Sequence, residues 1–253
     1  GITIMGINVG ATSAAGIWLG PNECVRGDMV LWLDAGDPRS ATYASTTWFD
    51  LSGNNRNAVG QGVDSADLTH SGNQSFWNLT PGSSVEKFHV TNDFGSGFGA
   101  AGWTIEVWLK IDVFDDGGLV VCGQTTNSYG IDFNSTDGNS IRVGVRDGSS
   151  FILANTGTVS TGVWYHVVGT HSSTKNVKIY LGTADTVPTL VEEVTGNISP
   201  STTETWRIGG REKLAGSADD EFDGKIAIVR AYNTPFATSD IHYNWNCDRG
   251  RFL

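Results

Sequence analysis

From Val30 onward, short stretches alternate between apolar and polar positions and are separated by turn-forming residues. The clearest stretch is 104–114, where every second residue from Ile105 to Val113 is apolar. The positions between them carry Glu106, Trp108, Lys110 and Asp112. Because successive side chains of a strand point to opposite faces, this period of two predicts a half-buried β-strand.

Further apolar stretches follow at 119–122, 129–133, 141–145, 151–154, 163–170, 176–181, 206–210 and 225–232. Asp-Gly pairs at 137–138 and 147–148 separate three of them, and such pairs supply the positive φ of tight hairpins. The pattern predicts an all-β fold, a two-sheet antiparallel sandwich of at least nine strands. One short helix is predicted near the C-terminus, over 240–246, with Ser239 as its cap.

Composition agrees with this prediction, since 33 of the 253 residues are glycine and only 17 % are charged, against about 25 % in an ordinary soluble domain. We expect one main domain over residues 30–253 and an extended N-terminal arm over residues 1–29. Residues 1–20 are apolar but interrupted by glycines, so no membrane span is predicted. This arm suits pairing with a strand edge of this chain or of a sister subunit, which makes a homo-oligomer the expectation. A disordered leader is the alternative.

A formal net charge of −11 excludes a nucleic acid as the expected partner, because phosphate backbones require clustered Lys and Arg. The three cysteines, Cys24, Cys122 and Cys247, lack the spacing of a metal site or of a disulfide framework. They are either small buried side chains or include one long-range bridge.

Six sequence segments resemble the laminin-G-like jelly rolls of the concanavalin A-like lectin/glucanase family. They are LDAGDP at 33–38, WFDLSGNNRN at 48–57, TIEVW at 104–108, WYHVV at 164–168, FDGKI with VRAYN at 222–233, and NWN with RGRF at 244–252. The resemblance implies a concanavalin A-like jelly roll. Because modules with this C-terminal segment often sit on tailed-phage particles, it also implies a virion surface protein, either a capsid decoration or a fibre component. Relatives usually carry an acidic pair after GKI, where this chain has Ala227 and Ile228.

Catalytic chemistry is not predicted. Glycosidases with this sandwich use an E-x-D-x-x-E pattern, and here Glu221 and Asp223 fill two positions while Ile226 occupies the third. No nucleophile motif occurs, and His166 is interpreted as a packed or edge histidine of a strand rather than as a base.

Two segments carry candidate cation ligands, and Ca²⁺ is the candidate cofactor. Asp50 and Asn54 lie in one tight turn and offer carboxylate and amide oxygens, although hydrogen bonding within the turn explains the same residues. Asp223 ends an acidic stretch that is either a solvated loop or a cation site.

Trp108 and Trp77 are the candidate glycan-binding residues, because indole faces stack on sugar rings. Alternation places Trp108 with charged residues, and Trp77 lies in a polar stretch. Burial under a loop or the second sheet is the alternative for both.

The sequence therefore predicts a non-enzymatic virion surface protein. Its arm docks onto the shell protein or sister subunits, and the domain binds host or environmental glycans. The alternative is a carbohydrate-binding module of a secreted or cell-surface adhesin, with an extracellular location.

Overall fold

The computed structural model describes residues 24–25, 27–71, 73–80, 82, 86–91, 99, 101–123, 127–136, 138–147, 149–198, 206–211 and 220–253. They form two large antiparallel sheets that pack face to face, a two-stranded ribbon and one α-helix. The all-β sandwich predicted from the sequence is confirmed. The predicted N-terminal arm, residues 1–29, lies for the most part outside the described residues and stays a prediction.

The strands are, in chain order, β1 (Met29–Asp34), β2 (Thr47–Trp48), β3 (Ala58–Gln61), β4 (Leu68–Ser71), β5 (Gln74–Leu79), β6 (Lys87–Val90), β7 (Gly102–Ile111), β8 (Gly117–Gly123), β9 (Asn127–Asn134), β10 (Ser140–Asp147), β11 (Ser150–Thr158), β12 (Trp164–Ser172), β13 (Val177–Thr183), β14 (Thr189–Val194), β15 (Trp206–Ile208), β16 (Gly210–Arg211), β17 (Asp220–Glu221) and β18 (Gly224–Tyr232). The first sheet has the order β14-β13-β12-β7-β18-β5-β4, with β1 also paired to β18. The second has the order β11-β10-β9-β8-β15-β6-β3-β2, and β16 pairs with β17.

The core lies between the two sheets, where each strand contributes every second side chain. Ile105 and Val107 of β7 are buried there with Ile131 of β9 and Val143 of β10. This is the face that the alternation over 104–114 assigned to the interior, because a pleated strand turns alternate residues to one side.

The prediction that the β7 strand is half-buried is wrong. Glu106 and Trp108 lie on the other face and are also fully buried, because the C-terminal segment covers the outer face of the first sheet. A strand that is covered on both sides can still carry charged residues where buried partners of opposite charge satisfy them.

The covering segment begins with helix α1 (Thr238–Asp248), followed by a 3₁₀ turn (Arg249–Arg251). The predicted helix is therefore present, but Ser239 lies inside it and Ala237 is the cap residue. The Asp240 carboxylate accepts a hydrogen bond from the Ala237 N–H at 3.2 Å, which holds the helix start. None of the helical residues described here forms a span long and apolar enough to cross a membrane.

The hairpin between β9 and β10 turns at Gly138 and Asn139, whose φ angles are 75° and 55°. This is the left-handed geometry that the turn residues predicted. The hairpin places β9 and β10 side by side in the second sheet and fixes the register of the surface described next.

Candidate functional site

A shallow cavity of about 280 Å³ lies on the outer face of the second sheet, on the side away from helix α1. We call it the trough. Strands β8 to β11 form it, and Arg211 of β16 closes one side. The lining residues are Val121, Ser128, Tyr129, Gly130, Ile131, Asp132, Arg142, Gly144, Val145, Arg146, Phe151, Leu153 and Arg211.

Two glycines form the floor of the trough. Gly130 of β9 pairs with Gly144 of β10, so two neighbouring strands lack a side chain at the same level. A Cβ at Gly130, where φ is +137°, would lie 2.1 Å from the Val120 carbonyl oxygen. A Cβ at Gly144 would lie 2.6 Å from the Ile152 carbonyl oxygen. Only glycine fits at these positions, and the backbone is left open to a ligand.

Side chains rise on both sides of this floor. Two residues from the glycine pair in one direction along the strands, Asp132 pairs with Arg142. Two residues from it in the other direction, Ser128 pairs with Arg146. These two pairs form the two ridges of the trough. Because residues of a strand advance by about 3.4 Å, the two ridges, four residues apart, are separated by about 14 Å along the strands.

The first ridge is an ion-pair network. Arg142 Nε and Nη2 donate to the two carboxylate oxygens of Asp132, both at 2.9 Å. Arg211 Nη1 donates to Asp132 Oδ2 at 3.2 Å, and Arg211 Nη2 binds the Asp220 carboxylate. Two guanidinium groups therefore hold Asp132, which fixes the ridge in place.

The second ridge carries an aromatic ring. Phe151 of β11 is 62 % exposed and is the cross-strand partner of Arg146. An exposed phenyl ring beside a guanidinium group on a flat strand face offers both an apolar surface and hydrogen-bond donors to one ligand.

The sequence reasoning missed these residues, although a signal was present. Arg142, Gly144 and Arg146 alternate with the apolar residues of the 141–145 stretch and thus share its polar face. The register of β9 against β10, which brings Gly130 beside Gly144, could not be predicted from the sequence.

Four of the motif residues, Glu106, His166, Arg230 and Asn244, lie on the opposite side of the molecule, in a closed polar cluster beneath α1. Glu106 Oε1 lies 2.6 Å from Arg230 Nη1 and 3.2 Å from His166 Nε2. Arg230 also binds the Asp248 carboxylate of α1 at 2.6 Å, and Asn244 Nδ2 donates to Glu106 Oε2 at 2.8 Å. The interpretation of His166 as a packed histidine agrees with its complete burial.

The charge state of Glu106 follows from this cluster. Burial opposes its ionisation, but the charge of Arg230, the close contact with His166 and the hydrogen bond from Asn244 outweigh burial and lower the pKa of Glu106 to about 2. Because the cluster is sealed from solvent, these residues anchor the helix rather than meet a ligand.

The structure corrects the expectation that Trp108 and Trp77 offer exposed rings. Trp108 is fully buried, with its ring 4.4 Å from that of Phe252 and 4.8 Å from that of His166. Trp77 is also fully buried, in the core between the sheets, 5.1 Å from the Phe88 ring. Burial, the alternative interpretation, describes both, and neither ring has a face open to a sugar.

The 48–57 turn is held by hydrogen bonds. Asp50 Oδ1 accepts from the N–H groups of Trp32 and Ser52 at 3.0 and 2.9 Å, and Oδ2 accepts from Ser52 Oγ and the Arg56 N–H at 2.8 and 3.0 Å. Asn54 turns its Nδ2 toward the Met29 carbonyl at 3.2 Å. With four donors on one carboxylate, this geometry accounts for Asp50 and Asn54 as a structural turn, the alternative interpretation, and a cation at these residues stays a prediction.

The structure does not bring Asp223 to that turn. Asp223 lies before β18, where burial and then the nearby carboxylates of Asp112 and Asp115 raise its pKa. Ile226, at the third position of the glycosidase pattern, is buried in the core. Among the described residues, no group of three or more His, Cys, Asp or Glu side chains is placed to hold a metal ion.

The apolar pair Ala227 and Ile228 is also explained by the covering segment. Both side chains are fully buried and pack in one cluster with Trp108, Trp245 and Phe252. Two carboxylates at these positions would be desolvated beneath the C-terminal segment.

The model of one family, described as the Concanavalin A-like lectin/glucanases superfamily, matches residues 82–242, more than half of the sequence. The chain belongs to this superfamily. The resemblance noted in the sequence is thereby confirmed at the level of the superfamily. The sequence matches none of the curated proteins with which it was compared.

Solved structures share the fold. HCR/D-Sa-GBL1/C superposes with a TM-score of 0.65 at 14 % identity, over 88 % of this chain and 52 % of that one. Botulinum neurotoxin type C, whose cell entry depends upon interaction with two ganglioside molecules, gives 0.62 at 15 %, over 87 % and 51 %. Trypanosoma rangeli sialidase in complex with sialic acid gives 0.55 at 17 %, over 86 % and 32 %.

This chain thus spans about half of the first two structures and about a third of the sialidase. At these identities the likeness shows the jelly-roll fold alone.

Proposed function

We propose that this protein is a non-enzymatic glycan-binding domain that holds sugars in the trough on its second sheet. The trough itself carries the proposal. It is a concave site with a bare glycine floor, an exposed ring at Phe151 and hydrogen-bond donors at Arg142, Arg146 and Arg211. Sites for small polar ligands combine these elements, because an apolar surface supplies contact area and a few polar groups fix orientation.

The similar folds support sugars as the ligand class. The neurotoxin interacts with gangliosides, and the sialidase structure contains sialic acid. The superfamily is named for lectins and glucanases, so binding and hydrolysis both occur on this sandwich.

The lining of the trough favours binding without hydrolysis. Glycosidases commonly use two carboxylic acids across the sugar bond, whereas Asp132 is the carboxylate among the described residues that line the trough. Two guanidinium groups already hold Asp132. Some sialidases use a tyrosine nucleophile instead, but burial raises the pKa of Tyr129 well above its usual value, and its ring packs in the core.

The test is a glycan array followed by calorimetry with the glycans that bind. Phe151→Ala should weaken binding about tenfold or more, because it removes the stacking surface. Leu190→Ala is the matched control, since Leu190 is 45 % exposed on β14 of the other sheet. Binding that Phe151→Ala leaves unchanged would contradict the proposal for the trough, and release of sugar products would contradict the non-enzymatic part.

We further propose that the domain is displayed on the surface of a tailed-phage particle, as a capsid decoration or fibre component. The C-terminal segment NWN with RGRF at 244–252 supports this location by resemblance. The N-terminal arm would dock onto the shell protein or onto sister subunits of a homo-oligomer. A module of a secreted or cell-surface adhesin is the alternative, and the same trough would serve it.

Copurification with intact particles tests the location. Deletion of residues 1–20 should abolish association with the particle and leave a folded β domain by circular dichroism. Association that survives the deletion would contradict docking through the arm, and absence of the full chain from particles would favour the adhesin.

A further inference from the structure

The glycine floor of the trough belongs to a row of paired residues that crosses the whole second sheet. From β11 to β2, the row consists of Leu153, Gly144, Gly130, Val121, Arg207, His89, Val59 and Thr47. Each residue is the Cα partner of the next, so the register sets all of them on one line. Because neighbouring strands lie about 4.8 Å apart, the row extends over about 34 Å. The trough contains only the first four of these residues.

The other half of the row also faces outward. On β15, β6, β3 and β2, the residues before and after the row belong to the core between the sheets: Trp206, Ile208, Phe88, Val90, Ala58 and Trp48. Since side chains of a strand alternate between two faces, the row itself lies on the outer face, as the floor of the trough does. Val59 is 41 % exposed, and Arg207, His89 and Thr47 are half-buried. The row therefore continues past the trough at the protein surface.

The first ridge continues beside this row. Gly118 of β8 is the Cα partner of Asp132, so the ridge meets a residue without a side chain. A Cβ at Gly118 would lie 2.7 Å from the Gly210 carbonyl oxygen and 2.9 Å from Arg211 Cβ, so glycine lets the ribbon of β16 and β17 lie over β8. Lys87 of β6 lies beneath the same ribbon, since a Cβ at Gly210 would be 3.1 Å from Lys87 Cβ. The ridge thus follows the row from β10 to β6, and we call the row with this ridge the groove.

The groove has no closed end at either side of the trough. One end of the trough lies at β11, which is the edge strand of the second sheet. At the other end, Arg207 is the Cα partner of both Val121 and His89 and joins the trough to the rest of the row. A site for a terminal sugar is closed at one end, whereas a path that is open at both ends lets a chain pass through.

We propose that the groove binds an internal stretch of a linear polysaccharide, and this inference rests on the proposed glycan-binding function. The trough would hold one part of the chain, and Arg207, His89 and Val59 form a second subsite for the part that follows. His89 Nε2 hydrogen-bonds with Gln61 Oε1, which holds the imidazole ring in place. Imidazole and amide groups hydrogen-bond to hydroxyl groups, and the exposed face of Val59 offers apolar contact.

The test is calorimetry with oligosaccharides of increasing length. The probes are the mono-, tri- and hexasaccharides of cellulose, xylan, mannan and polygalacturonic acid, and of any linear glycan that binds on the array. In at least one series the hexasaccharide should bind about tenfold or more tightly than the trisaccharide, because it adds contacts at the second subsite to those in the trough.

Variants assign this gain to the second subsite. His89→Ala should lower the affinity for the hexasaccharide about tenfold and leave that for the trisaccharide unchanged, whereas Phe151→Ala should weaken both. Val59→Ser, at the next position of the row, should act in the same direction as His89→Ala. His70→Ala is the matched control, since His70 is an exposed histidine on β4 of the other sheet, and it should leave all affinities unchanged. Thermal melts establish that each variant is folded.

If the array shows glycan binding but affinity rises with length in no series, the inference is overturned and glycan binding stands, with the trough as a site for a single sugar. A gain with length that both His89→Ala and Val59→Ser leave intact would also overturn the second subsite. If neither the array nor any series shows binding, the proposed function fails and this inference fails with it.

Discussion

Glu106 shows how a charged residue can belong to the interior of a β-sandwich. Its two oxygens meet Arg230, His166 and Asn244, which come from three different elements. Burial of an ionised carboxylate without such partners would be strongly unfavourable. Here it joins two strands and the helix, and its geometry is specific because each partner must be in position.

Glu106→Gln should lower the free energy of unfolding by about 3 kcal/mol, because it leaves part of the charge of Arg230 uncompensated in a buried site. Urea unfolding at neutral pH measures the loss. Glu193→Gln is the control, since Glu193 pairs with Lys178 at 3.3 Å on an open strand edge, where ion pairs contribute less than about 1 kcal/mol. Similar losses of unfolding free energy for the two variants would show that the buried cluster contributes no more to stability than an exposed ion pair.

The same residue predicts an acid dependence. The pKa of Glu106 is lowered in the folded state from 4.5 to about 2, so its contribution to stability is complete above 4.5 and is lost as the pH falls toward 2. Glu106→Gln does not titrate. The stability difference between the wild type and this variant should therefore shrink from pH 4.5 to pH 2 in unfolding experiments at several pH values. A difference that is constant over this interval would contradict the assigned pKa.

At the scale of elements, the C-terminal segment acts as a lid on the first sheet. Phe252 is the last buried residue of the segment, and its ring lies 4.4 Å from Trp108 and 4.7 Å from Trp164. The segment therefore buries two large indoles that the strands by themselves would leave exposed.

Phe252→Ala should cost about 3 kcal/mol of stability, since it removes a buried ring and leaves a cavity. Tryptophan emission should shift to longer wavelength as Trp108 and Trp164 gain water. Leu253→Ala is the control, because Leu253 is 66 % exposed and its truncation should change stability by less than about 0.5 kcal/mol. An unchanged emission spectrum for Phe252→Ala would show that the segment does not seal this face.

Alternation predicted the strands well, because the inner face of a strand obeys a local rule. It identified Ile105 and Val107 as interior, and the structure agrees. It could not predict that Glu106 and Trp108 are interior too, since what covers them lies more than a hundred residues further along the chain. Polar residues on one face of a strand predict a solvent-exposed face, and this prediction fails where the segment that covers the face is distant in the sequence.

The trough escaped prediction for a related reason. One residue of each ridge, Arg142 for the first and Arg146 for the second, can be assigned to the polar face of β10 from its sequence alone. The site exists only because the register sets Gly130 beside Gly144 and Arg146 beside Phe151. Register is a property of pairs of strands, and a single sequence specifies it only weakly.

At the scale of the molecule, the residues before β1 and those near the end of the chain meet. The Cys24 thiol hydrogen-bonds to the Cys247 thiol, and this bond and then burial raise the pKa of Cys24. The Val25 N–H donates to Asn244 Oδ1 at 2.8 Å. Cys122, in contrast, is buried in the core between the sheets.

Oxidised glutathione should therefore link Cys24 to Cys247. The two thiols lose two protons and two electrons to form one disulfide, and the glutathione disulfide is reduced to two thiols. A peptide map under non-reducing conditions should show this link, and the melting temperature should rise because a long loop is closed. Cys122→Ser should behave like the wild type and Cys247→Ser should lose the link; a link to Cys122, or none, would contradict the contact.

The contact between Cys24 and Cys247 also places the first described residues on one face of the domain. Val25 packs beside the helix on the outer face of the first sheet, whereas the trough opens on the outer face of the second. Cys24 and Val25 therefore lie on the face of the domain opposite the trough, which they leave uncovered.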